Sequence, residues 1–338
     1  MVEVNFPSSL NLQNSLKFGS YINSLAGGVD YAFDFGALRY IGPLGLVYIS
    51  SCIEELGLRC SDNEPTGFNF EHLRYPAHMG FFQVFDLDHG NLPGEGESTS
   101  RCIPITVLNA QEIRAESAGT GTAIGSIVEV ESKRLASVLI QEAEGDLLDT
   151  VAYSIREILR NAVEHSHTKT VRYCAQYYPG GDTVEVAILD KGRGILESFK
   201  NNPYVEPSSH REAINFSLLP GVSGTAFKGS KINTRKDDWK NSGYGLYMTN
   251  RICRLGGDFF IGSQDSGVSL KEAGKEYHKV SHNGTMLRLT IRASEVSNLT
   301  SRLLGFSEEG KVWASRLRGT VLTPSSASHM LTVDYQEG

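Results

Sequence analysis

The chain has 338 residues, 40% of them hydrophobic and 21% charged, with a net charge of −7, which suits two modest domains with ordinary globular cores. The negative balance gives no global field for nucleic acid or an anionic membrane, so direct binding to either is not expected. Five scattered cysteines, an odd number with no Cys-x-x-Cys pair, exclude a complete disulfide framework and fit a reducing interior.

In chain order, residues 30–36 alternate Tyr31, Phe33 and Phe35 with smaller or acidic residues, a strand pattern. Pro43 then opens a helix with Leu46, Ile49, Ile53 and Leu56 at helical spacing, and Gly57 supplies a stop. A short helix is expected near Phe70. Glycines 90, 94 and 96 mark a boundary loop within 88–101. The domain reading is an α/β unit over 1–92, a connector over 93–129, a second unit over 130–293 and an extension over 294–338. The start lacks the basic segment and apolar run of a signal peptide, and no apolar stretch approaches the ~20 residues needed to span a bilayer. A soluble, cytoplasmic protein is the expectation.

In the second unit, Glu131 to Glu144 reads as a helix, followed by a stronger one from Asp146 to Glu164. Leu148, Val151, Ala152, Ile155, Leu159, Ala162 and Val163 form its apolar stripe. Val171–Tyr178 and Thr183–Leu189 alternate around Pro179-Gly180-Gly181-Asp182, a hairpin signal. Residues 197–241 show little periodicity and several lysines, which in a compact domain suggests a functional or disordered stretch. Leu246 to Leu255 reads as a helix closed by Gly256-Gly257, and Met286 to Arg292 as the final strand.

Three elements carry chemistry. Glu157 and Asn161, four apart on a helix, share one face about 5–6 Å from each other. An amide oxygen suits Mg²⁺, and a carboxylate can orient or deprotonate an attacking group. Asp190-Lys191-Gly192-Arg193-Gly194 follows a strand, so a carboxylate could meet an exocyclic amine where glycines admit a flat ligand. Asn241-Ser242-Gly243-Tyr244-Gly245-Leu246 opens a helix, whose free amides attract phosphate. Taken singly these are also a solvated helix pair, a glycine turn and a helix start. The third element lacks both the Walker ending and the third glycine of a dinucleotide fingerprint.

Their order, with Asn283-Gly284-Thr285 before the last strand, resembles the N, G1, G2 and G3 boxes of GHKL ATPases. That family includes histidine-kinase catalytic domains, anti-sigma-factor kinases and DNA gyrase. Arg156–His165 looks like the N box, Asp190–Ile195 like G1, Ser242–Tyr247 like G2, and Leu218–Thr225 like the start of a mobile ATP lid over 197–241. The resemblance implies a Bergerat-type α/β sandwich, a mixed sheet covered by helices. It implies ATP and Mg²⁺ as cofactors. Asp190 would take the adenine amine with Thr285 in support, and Gly192 and Gly194 would shape the adenine pocket. Asn161 would ligate Mg²⁺, while Gly243, Tyr244, Gly245 and Leu246 would contribute to nucleotide binding around the phosphates. Glu157 would be the general base. Lys228, Lys231, Arg235, Lys236 and Lys240 lie in the lid.

The resemblance also sorts the branches. No phosphoacceptor His with its dimerisation helices precedes the N box, and His165 and His167 read as helix-end residues, so a histidine autokinase is not expected. The roughly 45 residues after Arg292 are too few for a transducer domain. The N box looks closer to anti-sigma-factor serine kinases. Residues 1–92 are similar to STAS domains through Asp34–Leu46, but Gly42-Pro43-Leu44 stands where regulated members carry an acceptor Ser, so phosphoswitching there is not expected. Together these imply an ATPase or Ser/Thr protein kinase in a regulatory system, with a STAS-like or sigma-factor-related protein partner and room for a homodimer. The alternative is a nucleotide-gated protein-binding module with negligible turnover.

Overall fold

The computed structural model describes residues 1–60, 65–93, 101–140, 145–230, 243–296 and 299–320. Its first unit runs β1 (Val2–Asn5), β2 (Ser9–Leu10), α1 (Leu12–Ser24), β3 (Tyr31–Asp34), β4 (Tyr40–Ile41), α2 (Pro43–Arg59), β5 (Thr66–Phe68) and α3 (Arg74–His78). Strands β1, β3 and β5 form a parallel sheet in that order, and β2 pairs with β4, also in parallel. Asn11 caps α1 by accepting the Asn14 amide at 3.0 Å. A cluster of phenylalanines fills the interior, with Phe6 stacked on Phe35 at 4.2 Å between centroids.

Helix α2 begins at Pro43 as its sequence implies, but it runs two residues past Gly57. The Arg59 side chain at its end donates to the carbonyls of Ile22, Asn23 and Leu25, which ties α2 to α1. Residues 43–53 of α2 are all buried. A helix that is apolar on every side needs partners on every side, and the second unit supplies the other one.

That second unit runs β6 (Cys102–Asn109), α4 (Ala110–Thr120), α5 (Ile124–Ile140), α6 (Asp146–His165), β7 (Thr170–Tyr178), β8 (Thr183–Asp190), α7 (Gly194–Ser198), α8 (His210–Ser217), α9 (Gly245–Cys253), β9 (Asp258–Lys271) and β10 (Gly274–Arg292), followed by α10 (Leu299–Ser315). The five strands form one sheet in the order β6-β7-β8-β10-β9. Every neighbouring pair is antiparallel, so the sheet is not the mixed one expected. Tight hairpins join β7 to β8 and β9 to β10, and such links impose the antiparallel sense. The stretch read as a connector contributes β6 and α4 to this unit, and the stretch of little periodicity contains α8.

Alternation along the strands gives the sheet two apolar faces. Val184, Val186, Ile188, Leu287, Leu289 and Ile291 join the core under the helices. Ala187, Leu189, Phe260 and Met286 join the core of the first unit. Helix α2 lies on this second face. Pro43 accepts a hydrogen bond from Cys174 Sγ, Tyr48 Oη donates to the Ser281 carbonyl at 2.7 Å, and Glu54 pairs with Arg172. Among the described residues no helix is long and apolar enough to cross a membrane.

Candidate nucleotide site

Helix α6 carries the first pair. Its stripe from Leu148 to Val163 is buried in the core, which fixes the helix and therefore the direction of its remaining side chains. Asn161 lines an open cleft of about 890 Å³. Glu157 does not project beside it. Its carboxylate is buried under the start of α9, with Arg160 Nη1 at 3.3 Å and Arg156 Nη2 at 3.4 Å. A Cβ added to Gly245 would stand 2.3 Å from Glu157 Oε2, so a larger residue there would push the Glu157 carboxylate from its place under α9. The sequence places the two groups on one face, but packing of α9 divides that face into a covered turn and an open one.

Asp190 ends β8, opposite Val171 of β7 and Thr285 of β10. Its Oδ1 accepts the Gly192 amide at 2.8 Å, and the Thr285 amide also donates to the carboxylate. Burial pushes this carboxyl up to about 7, although the two amides pull the other way. Gly284 has φ +130° and an added Cβ would lie 2.0 Å from the Asp190 carbonyl oxygen, so only glycine allows β10 to pass so close. Ser263 Oγ accepts the Ile195 amide at 3.1 Å and donates to the Gly284 carbonyl at 2.8 Å. That hydroxyl joins the start of α7 to both strands.

Asp190, Gly194, Gly243, Gly245, Leu246 and Thr285 line the same cleft as Asn161. The four sequence elements therefore converge from α6, the β8–α7 turn, the start of α9 and β10. Gly192 stands behind the cleft against Ser166. Tyr244 is fully buried in the helix-side core, so its ring is not part of the cleft wall. Of the lid, Ser198, Phe199, Ser217 and Val222 to Thr225 reach the cleft, and Lys228 is exposed. Lys231, Arg235, Lys236, Lys240, Asn241 and Ser242 lie outside the described residues.

Sequence reasoning gave no site role to Arg160, His165, Ile195 and Phe199, which also line the cleft. Arg160 had a legible signal, since it stands three residues after Glu157 and four before Glu164, both ion-pairing distances on a helix. His165 is driven well below its usual pKa, by burial first and then by Arg160 and Arg193, so it is neutral near pH 7. Ile195 and Phe199 are ordinary apolar residues whose role depends only on where α7 turns.

Residues 148–295 match the family described as histidine kinase-, DNA gyrase B- and HSP90-like ATPase. This segment is a GHKL-type ATPase domain. The match opens at Leu148 in α6 and closes at Glu295 just after β10, so the ATPase domain contains all four convergent elements. No curated protein and no solved structure matches the chain.

Domains of this family bind ATP, typically with Mg²⁺, and the cleft offers suitable groups. The Asp190 carboxylate is nine-tenths buried with two amides already on it, so a further donor such as an adenine amine meets a desolvated acceptor. Asn161 lines the cleft, and an amide oxygen is a hard ligand of the kind that Mg²⁺ takes. Gly243 and Gly245 offer only main chain to the cleft at the start of α9, where backbone amides favour phosphate oxygens. A bound Mg²⁺ would neutralise phosphate charge beside Asn161.

Proposed function

We propose that the ATPase domain binds Mg-ATP with its adenine on Asp190 and its phosphates between Asn161 and the start of α9. The γ-phosphoryl group passes to water or to a protein Ser/Thr in a regulatory system. The convergence of Asp190, Asn161, Gly243 and Gly245 on one cleft carries this reading. Glu157 is the base that orients and deprotonates the attacking hydroxyl once its arginine partners yield. The regulatory setting rests on the N box and on the N-terminal unit. That unit has parallel strands, and its Asp34–Leu46 segment resembles that of STAS domains. Gly42-Pro43-Leu44 at the head of α2 offers no hydroxyl to phosphorylate.

A second reading has its own support. Glu157 is covered by Gly245 and paired with two arginines, an arrangement that suits a nucleotide-gated protein-binding module with negligible turnover. ATP turnover and binding by the wild type and by Glu157→Gln separate the two. Hydrolysis lost in a variant that still binds ATP supports catalysis. Binding without hydrolysis by either supports the module.

A further inference from the structure

His282 stands outside the cleft wall, yet it touches the residue on which the adenine reading depends. It lies in β10, where the pairing with β9 slips on both sides of it, between Lys279 and His282 and again between His282 and Thr285. Such paired irregularities re-aim a side chain across the sheet. Here the imidazole is 5% exposed, and its Nε2 lies 2.7 Å from the Asp190 carbonyl oxygen. A carbonyl only accepts, so Nε2 carries the hydrogen and donates it. Burial lowers the imidazole pKa to about 4, which keeps the ring in that neutral donor form.

The ring is itself held. Tyr48 of α2 packs edge-to-face against it, with centroids 6.0 Å apart and planes at 90°, and the Tyr48 hydroxyl fixes the preceding carbonyl, that of Ser281. Asn23 of α1 donates to the same carbonyl at 2.7 Å. Gly284, lacking a side chain, leaves the room in which β10 meets Asp190. Every part of the contact is therefore specified: the donor, its tautomer, its backing and the space it crosses.

We propose that His282 is a positioning residue for adenine recognition, its Nε2–H fixing the main chain of Asp190 so that the carboxylate faces the base amine. This rests on the assignment of Asp190 to the adenine. A residue that only filled space would affect every nucleotide alike. A positioning residue would affect only those nucleotides whose base the Asp190 carboxylate recognises.

The test is calorimetric titration of the full chain with Mg-ATP and with Mg-inosine triphosphate, which carries a keto oxygen in place of the amine. His282→Leu is expected to weaken ATP about three- to tenfold, the scale of one hydrogen bond, and to leave inosine triphosphate unchanged. His282→Gln, which keeps an amide donor near the position of Nε2, should stay within about twofold of wild type. Equal loss for both nucleotides, or loss for neither, overturns the inference. Should His282→Leu fail to fold, His282→Asn takes its place, because its shorter amide falls near Nδ1 instead; equal ATP affinity in the Gln and Asn variants then overturns it. Asp190→Asn separates the two layers. If that variant still discriminates ATP from inosine triphosphate as wild type does, the adenine assignment itself fails. If it loses discrimination while His282→Leu keeps it, only the role of His282 fails.

Discussion

Asp190 links site chemistry to pH. Its carboxyl is raised from 3.8 to about 7, chiefly by burial. A raised folded-state pKa contributes stability below the unfolded value and loses it as pH rises through the folded one. The stability of the free wild type relative to Asp190→Asn should therefore decline between pH 4 and pH 7, as thermal denaturation of the pair would report; a constant difference would contradict the buried-carboxyl account. Binding follows the opposite sign, because the amine needs the ionised form as acceptor. Wild-type ATP affinity relative to the Asn variant should rise about tenfold from pH 6 to pH 8, and at pH 8 Asp190→Asn should bind about 10- to 100-fold more weakly, as for a lost charged hydrogen bond. A flat wild-type-to-variant ratio across that range would count against the adenine contact. Glu157 was legible as a residue type at a helical spacing, but its burial was not, because that depends on α9 arriving over one turn of α6 with a glycine at the contact.

Among the elements, α10 has the least expected role. Tyr247 of α9 donates to the Phe306 carbonyl, Arg251 pairs with Glu309, and Gly310 packs against Tyr244, Tyr247 and Pro220. Just beyond the helix, the Gly319 carbonyl accepts the Lys228 amide at 3.0 Å. The extension thus fastens both the head of α9 and the described part of the lid. Removing residues 299–338 should speed amide hydrogen exchange over residues 218–230 while leaving exchange in β7 and β8 unaltered; unchanged lid exchange would show that the extension only rests there. The strongly periodic helix α6 and the β7–β8 hairpin were readable from sequence, since an apolar stripe and a Pro-Gly-Gly turn encode them locally. Strand β9 and the first twelve residues of β10 were not. Their far hairpin is polar and exposed around Glu272–Glu276, so no alternation marks it, and the bulges at His282 interrupt what pattern remains.

For the whole molecule, the decisive feature is that one apolar core contains both α2 and the outer face of the ATPase sheet. The sequence suggested two units but not their union, because the apolar encirclement of α2 shows that it has partners without saying which. With Ala187, Leu189 and Met286 packed among residues of the first unit, separation would expose buried apolar surface on both sides, each large side chain being worth about 1.5–3 kcal/mol. Urea unfolding followed by fluorescence and far-ultraviolet dichroism should accordingly give one coincident transition; two resolved transitions would mean the units are stable apart. The same union places Tyr48 behind His282 and His282 behind Asp190, so the N-terminal unit reaches the nucleotide cleft through two contacts. The most direct measurement is a crystal structure with Mg²⁺ and a non-hydrolysable ATP analogue. The account requires the adenine amino nitrogen within hydrogen-bond distance of the Asp190 carboxylate and the phosphates beside Asn161 and Gly245. A nucleotide bound elsewhere, or one that leaves Asp190 without a base contact, would contradict it.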